Sequence, residues 1–139
     1  MEISLPTIEL DKKQKLAQYL TNSFESATGI SSEIFAIKFN EYKDNECFVG
    51  GKVVHNSQVK SRPYIHCLLY SPRLNKNVKS KLAKEFTDSF IKVFANIDWW
   101  PIIHICEHPY DNVAIEGQLL SDTYEHCKGA KFYYDLDDQ

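Results

Sequence analysis

His104, Cys106 and His108 recur at every second position of one short run. A continuous strand puts alternate residues on one face, so two imidazoles and a thiolate would converge there as good zinc ligands, with His126 or Cys127 available to close a tetrahedron. The spacing matches no known zinc motif and Pro109 breaks the strand beside it, so no metal and no other cofactor is expected. Cys106 with His66 or His104 would also pair a nucleophile with a base. No oxyanion-hole sequence accompanies that pair, and a small cysteine on a strand is by default a core residue. Lys76, Lys79, Lys81 and Lys84 read as the solvated face of a helix, because Lys79 and Lys81 do not share a face. Trp99-Trp100-Pro101 sets two indoles at a loop–strand junction, where they can wall a pocket or an interface or equally pack in the core beneath the helix. The sequence contains no glycine-rich phosphate loop.

The scaffold that must position these groups is 139 residues long, enough for a single domain over 1–139 with its own core. Hydrophobic residues at 43% and charged residues at 25% are ordinary globular proportions. A net charge of -3 removes the electrostatic footprint of a nucleic-acid binder. No run approaches the roughly 20 apolar residues that cross a bilayer, and residues 1–12 lack a signal-peptide core, so a soluble, cytoplasmic protein without nucleic-acid or membrane partners is expected. Cys47, Cys67, Cys106 and Cys127 form no CxxC pair and are expected as free thiols.

The chain repeats itself at an offset of 66 residues, without a gap from Pro6 to Gly51. Pro6 meets Pro72, Lys13 meets Lys79, Lys15 meets Lys81, and Leu16-Ala17 meets Leu82-Ala83. Thr21, Ser23 and Phe24 meet Thr87, Ser89 and Phe90; Ile37, Glu41 and Gly51 meet Ile103, Glu107 and Gly117. The matches concentrate on an apolar stripe and a turn glycine, where a shared fold would keep them. Leu16, Leu20 and Phe24, like Leu82, Phe86 and Phe90, recur every four residues, which predicts helices over roughly 11–27 and 76–94. Strands are expected at 1–5, 34–40, 64–70 and 102–106, with a Gly50-Gly51 turn closing the first unit.

The expected fold class is therefore α+β: two β-α-β repeats, 1–54 and 63–120, forming a four-stranded sheet with both helices on one face. The other face would carry Ile34, Ala36, Ile102, His104 and Cys106, apolar enough to meet further subunits. The tail, 121–139, shows no helix signal; its Phe132-Tyr133-Tyr134 can strap across a neighbour.

The repeat, its order and the segment Glu107-His108-Pro109-Tyr110-Asp111-Asn112-Val113-Ala114-Ile115-Glu116-Gly117 resemble the tautomerase superfamily. The likeness is to its two-repeat members, the cis-chloroacrylic acid dehalogenase-like and fungal oxalocrotonate tautomerase-like proteins, with macrophage migration inhibitory factor more distant. Phe48-Val49-Gly50-Gly51 looks like the family's strand and glycine turn, and Pro63-Tyr64-Ile65-His66 like the start of a second unit. The resemblance implies a trimer-forming fold and proton transfer on a small anionic 2-oxo or unsaturated carboxylic acid. In the family an amino-terminal proline of low pKa is the general base, and arginines bind the substrate carboxylate.

This sequence departs from that pattern at the base. Glu2 follows Met1, so Met1 is expected to be retained, and Pro63 maps by the repeat to a position upstream of Met1. Pro6 cannot substitute, because an amide nitrogen has no lone pair for a proton. A histidine of the dehalogenase-like enzymes falls at Phe24. Two positions fit: Arg73, in Tyr70-Ser71-Pro72-Arg73, as carboxylate binder, and Glu107 as the acidic residue that polarises a water. The α-amine of Met1, with an ordinary pKa of about 7.7–8.0, is the candidate replacement base. The expected function is a tautomerase or isomerase acting by proton transfer, impaired if no base replaces the proline. The alternative is a non-catalytic tautomerase-fold or ferredoxin-like binding module, since the ferredoxin-like fold shares the β-α-β-β-α-β order.

Overall fold

The computed structural model describes residues 1–54, 64–94 and 101–127, with side chains to residue 123 in the last segment. Pro63, Trp99, Trp100 and the aromatic tail 132–134 lie outside the described residues, as do the side chains of His126 and Cys127. Strand β1 is Glu2–Pro6, helix α1 Leu10–Thr28 and strand β2 Lys38–Tyr42; a hairpin of β3, Phe48–Val49, and β4, Lys52–Val53, follows. The second unit repeats the order with β5, His66–Ser71, α2, Lys76–Val93, and β6, Ile102–Glu107. It ends in a hairpin of β7, Ala114–Ile115, and β8, Gln118–Leu119, before helix α3, Leu120–Cys127.

The sheet order is β2-β1-β5-β6, with each β-α-β pair parallel and the two inner strands antiparallel. The strands of each unit are direct neighbours. A ferredoxin-like fold splits each β-α-β pair around another strand, so that alternative is overturned. Glu2 pairs with Leu68, its own mate at 66 residues. On the helices Ser23 Oγ lies 3.4 Å from Ser89 Oγ, again its own mate. A local two-fold relation therefore runs through the middle of the sheet and between the helices.

Leu16, Leu20 and Phe24 from α1 and Leu82, Phe86 and Phe90 from α2 pack in one cluster on Ile3, Leu5, Cys67 and Leu69 of the inner strands. Both helices thus cover the same face, and each fully buried Leu or Phe contributes about 1.5–3 kcal/mol. Helix α1 stops at Gly29, whose left-handed backbone (φ 71°) turns its N–H onto the Glu25 carbonyl at 2.9 Å. Helix α2 starts at Asn75, whose Oδ1 accepts the Val78 N–H at 2.9 Å.

Three expectations need correction. Residues 34–37 are not strand: Ser31 Oγ accepts the Glu33 N–H and folds 32–34 into a 3-10 turn, so β2 begins at Lys38. The open sheet face is consequently less apolar than expected, with Lys38, Asn40 and Ser4 on the first unit and Leu68, Tyr70 and Ile102 on the second. The start of the tail is helical, because buried Leu120 anchors α3 and its N–H bonds the Val113 carbonyl at 2.9 Å.

The two hairpins superpose at the same offset, yet their turns differ. Gly50 and Gly51 have φ of 58° and 74°; Glu116 and Gly117 have 54° and 81°. Glutamate thus occupies a left-handed position where the first unit uses glycine. Glu116→Gly should stabilise the fold by about 0.5 kcal/mol, the relieved strain outweighing the added unfolded-state entropy. Urea unfolding at fixed protein concentration measures it; an unchanged or lower midpoint counts against the strain.

Candidate active site

The β5–α2 connection and the end of β6 meet at one corner of the sheet. Leu74 is buried and fixes the connection, while Arg73 beside it is exposed. Glu107 ends β6 on the helix-covered side. Its Oε1 accepts the Leu74 N–H at 2.8 Å and the Lys79 ammonium at 2.7 Å. Burial works to raise the Glu107 pKa, but the Leu74 N–H, the Lys79 ammonium and the nearby Arg73 charge together hold it below its ordinary 4.5. Ser71, paired with Glu107 in the ladder, has a buried Oγ without a hydrogen-bond partner among the described residues. Such an orphan hydroxyl beside charged groups is a natural anchor for a ligand oxygen.

Among the described residues Lys79 and Arg73 both act on Glu107, at the start of an 18-residue helix with no acidic residue in its first turn. The positive end of the helix dipole adds to their positive charge. The first unit repeats the brace through Lys13 and Glu41. There Thr7 replaces Arg73, and Glu9 and Asp11 stand at the start of α1. Among the described residues the second unit sets an arginine beside this brace and the first does not.

Arg73 and Glu107 are thus brought together; Met1 opens the neighbouring strand toward the same end of the sheet, where Glu2 accepts the Tyr70 hydroxyl at 3.2 Å, but its amine faces the other way. Its amine donates to the Ala36 carbonyl at 2.7 Å, and its carbonyl accepts the Lys38 N–H at 2.9 Å, on the β2 side of β1. Strands β5 and β6 lie on the other side. Burial lowers the pKa of this amine from 8.0, opposed by the Glu2 charge. Lys79 and Ser71 were not read as site residues. Lys79 is not simply solvated, as the periodicity suggested, but tied to Glu107; the joint recurrence of Lys13/Lys79 and Glu41/Glu107 was the signal for it.

His104 and Cys106 lie on the open face, whereas β6 ends before His108, whose N–H bonds the Ser71 carbonyl and whose ring stacks on Tyr70 at 5.8 Å. Among the described residues no group of three or more His, Cys, Asp or Glu is placed to hold a metal ion. Cys47, Cys67 and Cys106 are unpaired thiols, and burial pushes Cys67 up to about 12. No helix among the described residues is long and apolar enough to cross a membrane.

Two adjacent parallel β-α-β units, joined antiparallel at the middle of one sheet and each closed by a hairpin, define the two-repeat tautomerase-superfamily fold, and this chain has it. More particularly, it is similar to a wild-type fused 4-OT solved as an asymmetric trimer, with TM-score 0.72 and 24% identity over 87% of this chain and 95% of that one. A member of the cis-3-chloroacrylic acid dehalogenase family matches with TM-score 0.69 and 17% identity, over 94% and 92% of the two chains. RhCC from Rhodococcus jostii RHA1 matches with TM-score 0.68 and 17% identity, over 97% and 98%. No family model and no curated protein sequence matches the chain.

Proposed function

We propose that this protein transfers a proton on a small 2-oxo or unsaturated carboxylic acid, as a tautomerase or isomerase, with the carboxylate held at Arg73. The observation that carries the reading is the placement of exposed Arg73 beside the Lys79–Glu107 pair at the start of α2, where the helix dipole also favours an anion. Arginine presents two parallel N–H donors to a carboxylate, and the Ser71 hydroxyl offers a third. Both contacts of Glu107 fall on Oε1, so Oε2 is the oxygen that would position a water or a substrate proton. The Met1 amine, shifted toward its neutral form by burial, is the base in this reading. The protein works as a homotrimer, supported by the trimeric fused 4-OT and by exposed Tyr70 and Ile102 on the open sheet face.

One observation favours a second reading. The Met1 amine is already bonded to Ala36 on the far side of β1, which suits a protein that binds the carboxylate without moving a proton.

The test is tautomerisation of phenylenolpyruvate by the species whose light-scattering mass is three times 16.1 kDa, beside Arg73→Ala. Arg73→Ala should raise KM about tenfold, the loss of one bidentate contact. A flat trace with carboxylate binding that still needs Arg73 selects the second reading. Neither activity nor Arg73-dependent binding overturns both, and a monomeric mass overturns the trimer.

A further inference from the structure

Among the described residues, the Ser71 hydroxyl is a buried side-chain oxygen with no hydrogen-bond partner, in a residue only 6% exposed. Along β5, Cys67, Leu69 and Ser71 are buried and alternate with His66, Leu68 and Tyr70 on the open face. Ser71 therefore belongs to the helix-covered side, turned away from the face that meets other subunits. The parallel ladder pairs it with Glu107, so the two side chains share that side at the end of the sheet. The Arg73 charge is felt at the same Glu107 carboxylate, which the Leu74 N–H reaches at 2.8 Å.

The repeat shows that the fold does not require this hydroxyl. The mate of Ser71 is Leu5, fully buried and paired with Glu41 in the same register. A buried hydroxyl without a partner costs stability, whereas a buried leucine contributes it. The unit that carries Arg73 thus carries a polar group that folding alone disfavours, and the unit with Thr7 in place of the arginine does not. An arginine fork that binds a carboxylate engages both of its oxygens. The hydroxyl beside it is left for the next oxygen along the molecule, the one on C2. Serine suits that atom in both tautomers: it donates to the carbonyl of a 2-oxo acid and accepts from the O–H of the enol. Arginine and lysine, as donors only, cannot do both.

We propose that Ser71 determines the specificity of the Arg73 corner, selecting carboxylic acids with an oxygen on C2 (2-oxo acids and their enols) over unsaturated acids that lack one. This rests on the proposed binding of a carboxylate at Arg73 and narrows its substrate class. The ligand oxygen enters beneath the connection from β5 to α2 and supplies the bond that Ser71 lacks.

NMR titration of the full chain with 2-oxobutyrate, butyrate and crotonate tests it, because only the first has an oxygen on C2. The unmodified chain should bind 2-oxobutyrate at least about fivefold more tightly than the other two, the gain from one recovered hydrogen bond. Ser71→Ala should bind all three alike, and Ser71→Thr, which keeps the hydroxyl, should retain the preference. The urea midpoint of Ser71→Ala should be no lower than that of the unmodified chain, because the group it removes is unpaired. A midpoint that falls shows a hydroxyl already bonded in the ligand-free chain and overturns the inference. So does equal binding of the three acids by the unmodified chain, or a preference that survives in Ser71→Ala. In each of those cases binding that Arg73→Ala weakens leaves the carboxylate reading standing. No binding of any of the three acids overturns both.

Discussion

Phe86→Ala is expected to cost about 3–5 kcal/mol, the largest single loss predicted for this fold. The ring is fully buried in α2 and stacks on Phe35 at 6.4 Å, which in turn lies 4.3 Å from Phe24 of α1. Three rings thus link the two helices through the segment that enters β2, and removing the last leaves a cavity bounded by elements of both units. The repeat provides the comparison that makes the prediction specific. Leu20 is the mate of Phe86 and is equally buried, so a leucine is known to fit the equivalent place. Phe86→Leu should therefore cost no more than about 1.5 kcal/mol, because the volume change is small and the neighbours can close around it. Urea unfolding of both variants at one protein concentration measures the difference, since assembly would otherwise shift the midpoints. A loss below about 1.5 kcal/mol for the alanine variant would mean that the three-ring stack is not the link between the units.

The helices were legible to within a residue or so: 11–27 against Leu10–Thr28, and 76–94 against Lys76–Val93. Four-residue apolar spacing is a direct image of the buried stripe, which is why it reads so well. The 66-residue offset carried further still, because β3 and β4 map onto β7 and β8 residue for residue. Segments governed by local polar bonds were less visible. Ile34 belongs to an apolar, β-rich run, yet the Ser31 side chain turns the chain there. Helix α3 spans eight residues, too few for a period to show. At the site, Arg73 and Glu107 were reached through resemblance to a family, while Lys79 was hidden by its surroundings on a charged helix face. Which carbonyl the Met1 amine meets depends on the register of β1 against the run into β2, and no local pattern encodes that.

Glu107→Gln is expected to lower stability by up to about 2 kcal/mol at pH 7, and the loss should depend on pH in a defined direction. The carboxylate accepts the Leu74 N–H and pairs with Lys79, but the two side chains are 30% and 37% exposed, so water screens part of the attraction. Glutamine keeps a carbonyl acceptor for Leu74 and loses the charge that Lys79 and Arg73 favour. Because the folded-state pKa lies below the ordinary 4.5, the charge contribution is fully present above that value and disappears as pH falls through the lower folded-state value. The gap between Glu107→Gln and the unmodified chain should hold from pH 7 to about 5 and close in acid. A gap that stays constant into acid would show that the charge is not what Leu74, Lys79 and Arg73 hold. Glu41→Gln is the matched control: its carboxylate pairs with Lys13, but Thr7 stands where Arg73 would be, so the expected loss is smaller. A double-mutant cycle with Lys79→Met separates the ion pair from the Leu74 bond. The same variant separates two roles for Glu107 within the proton-transfer reading. If Glu107 positions the proton, kcat falls at a temperature where both proteins are fully folded; if it only braces the corner, kcat holds and KM rises through a displaced Arg73.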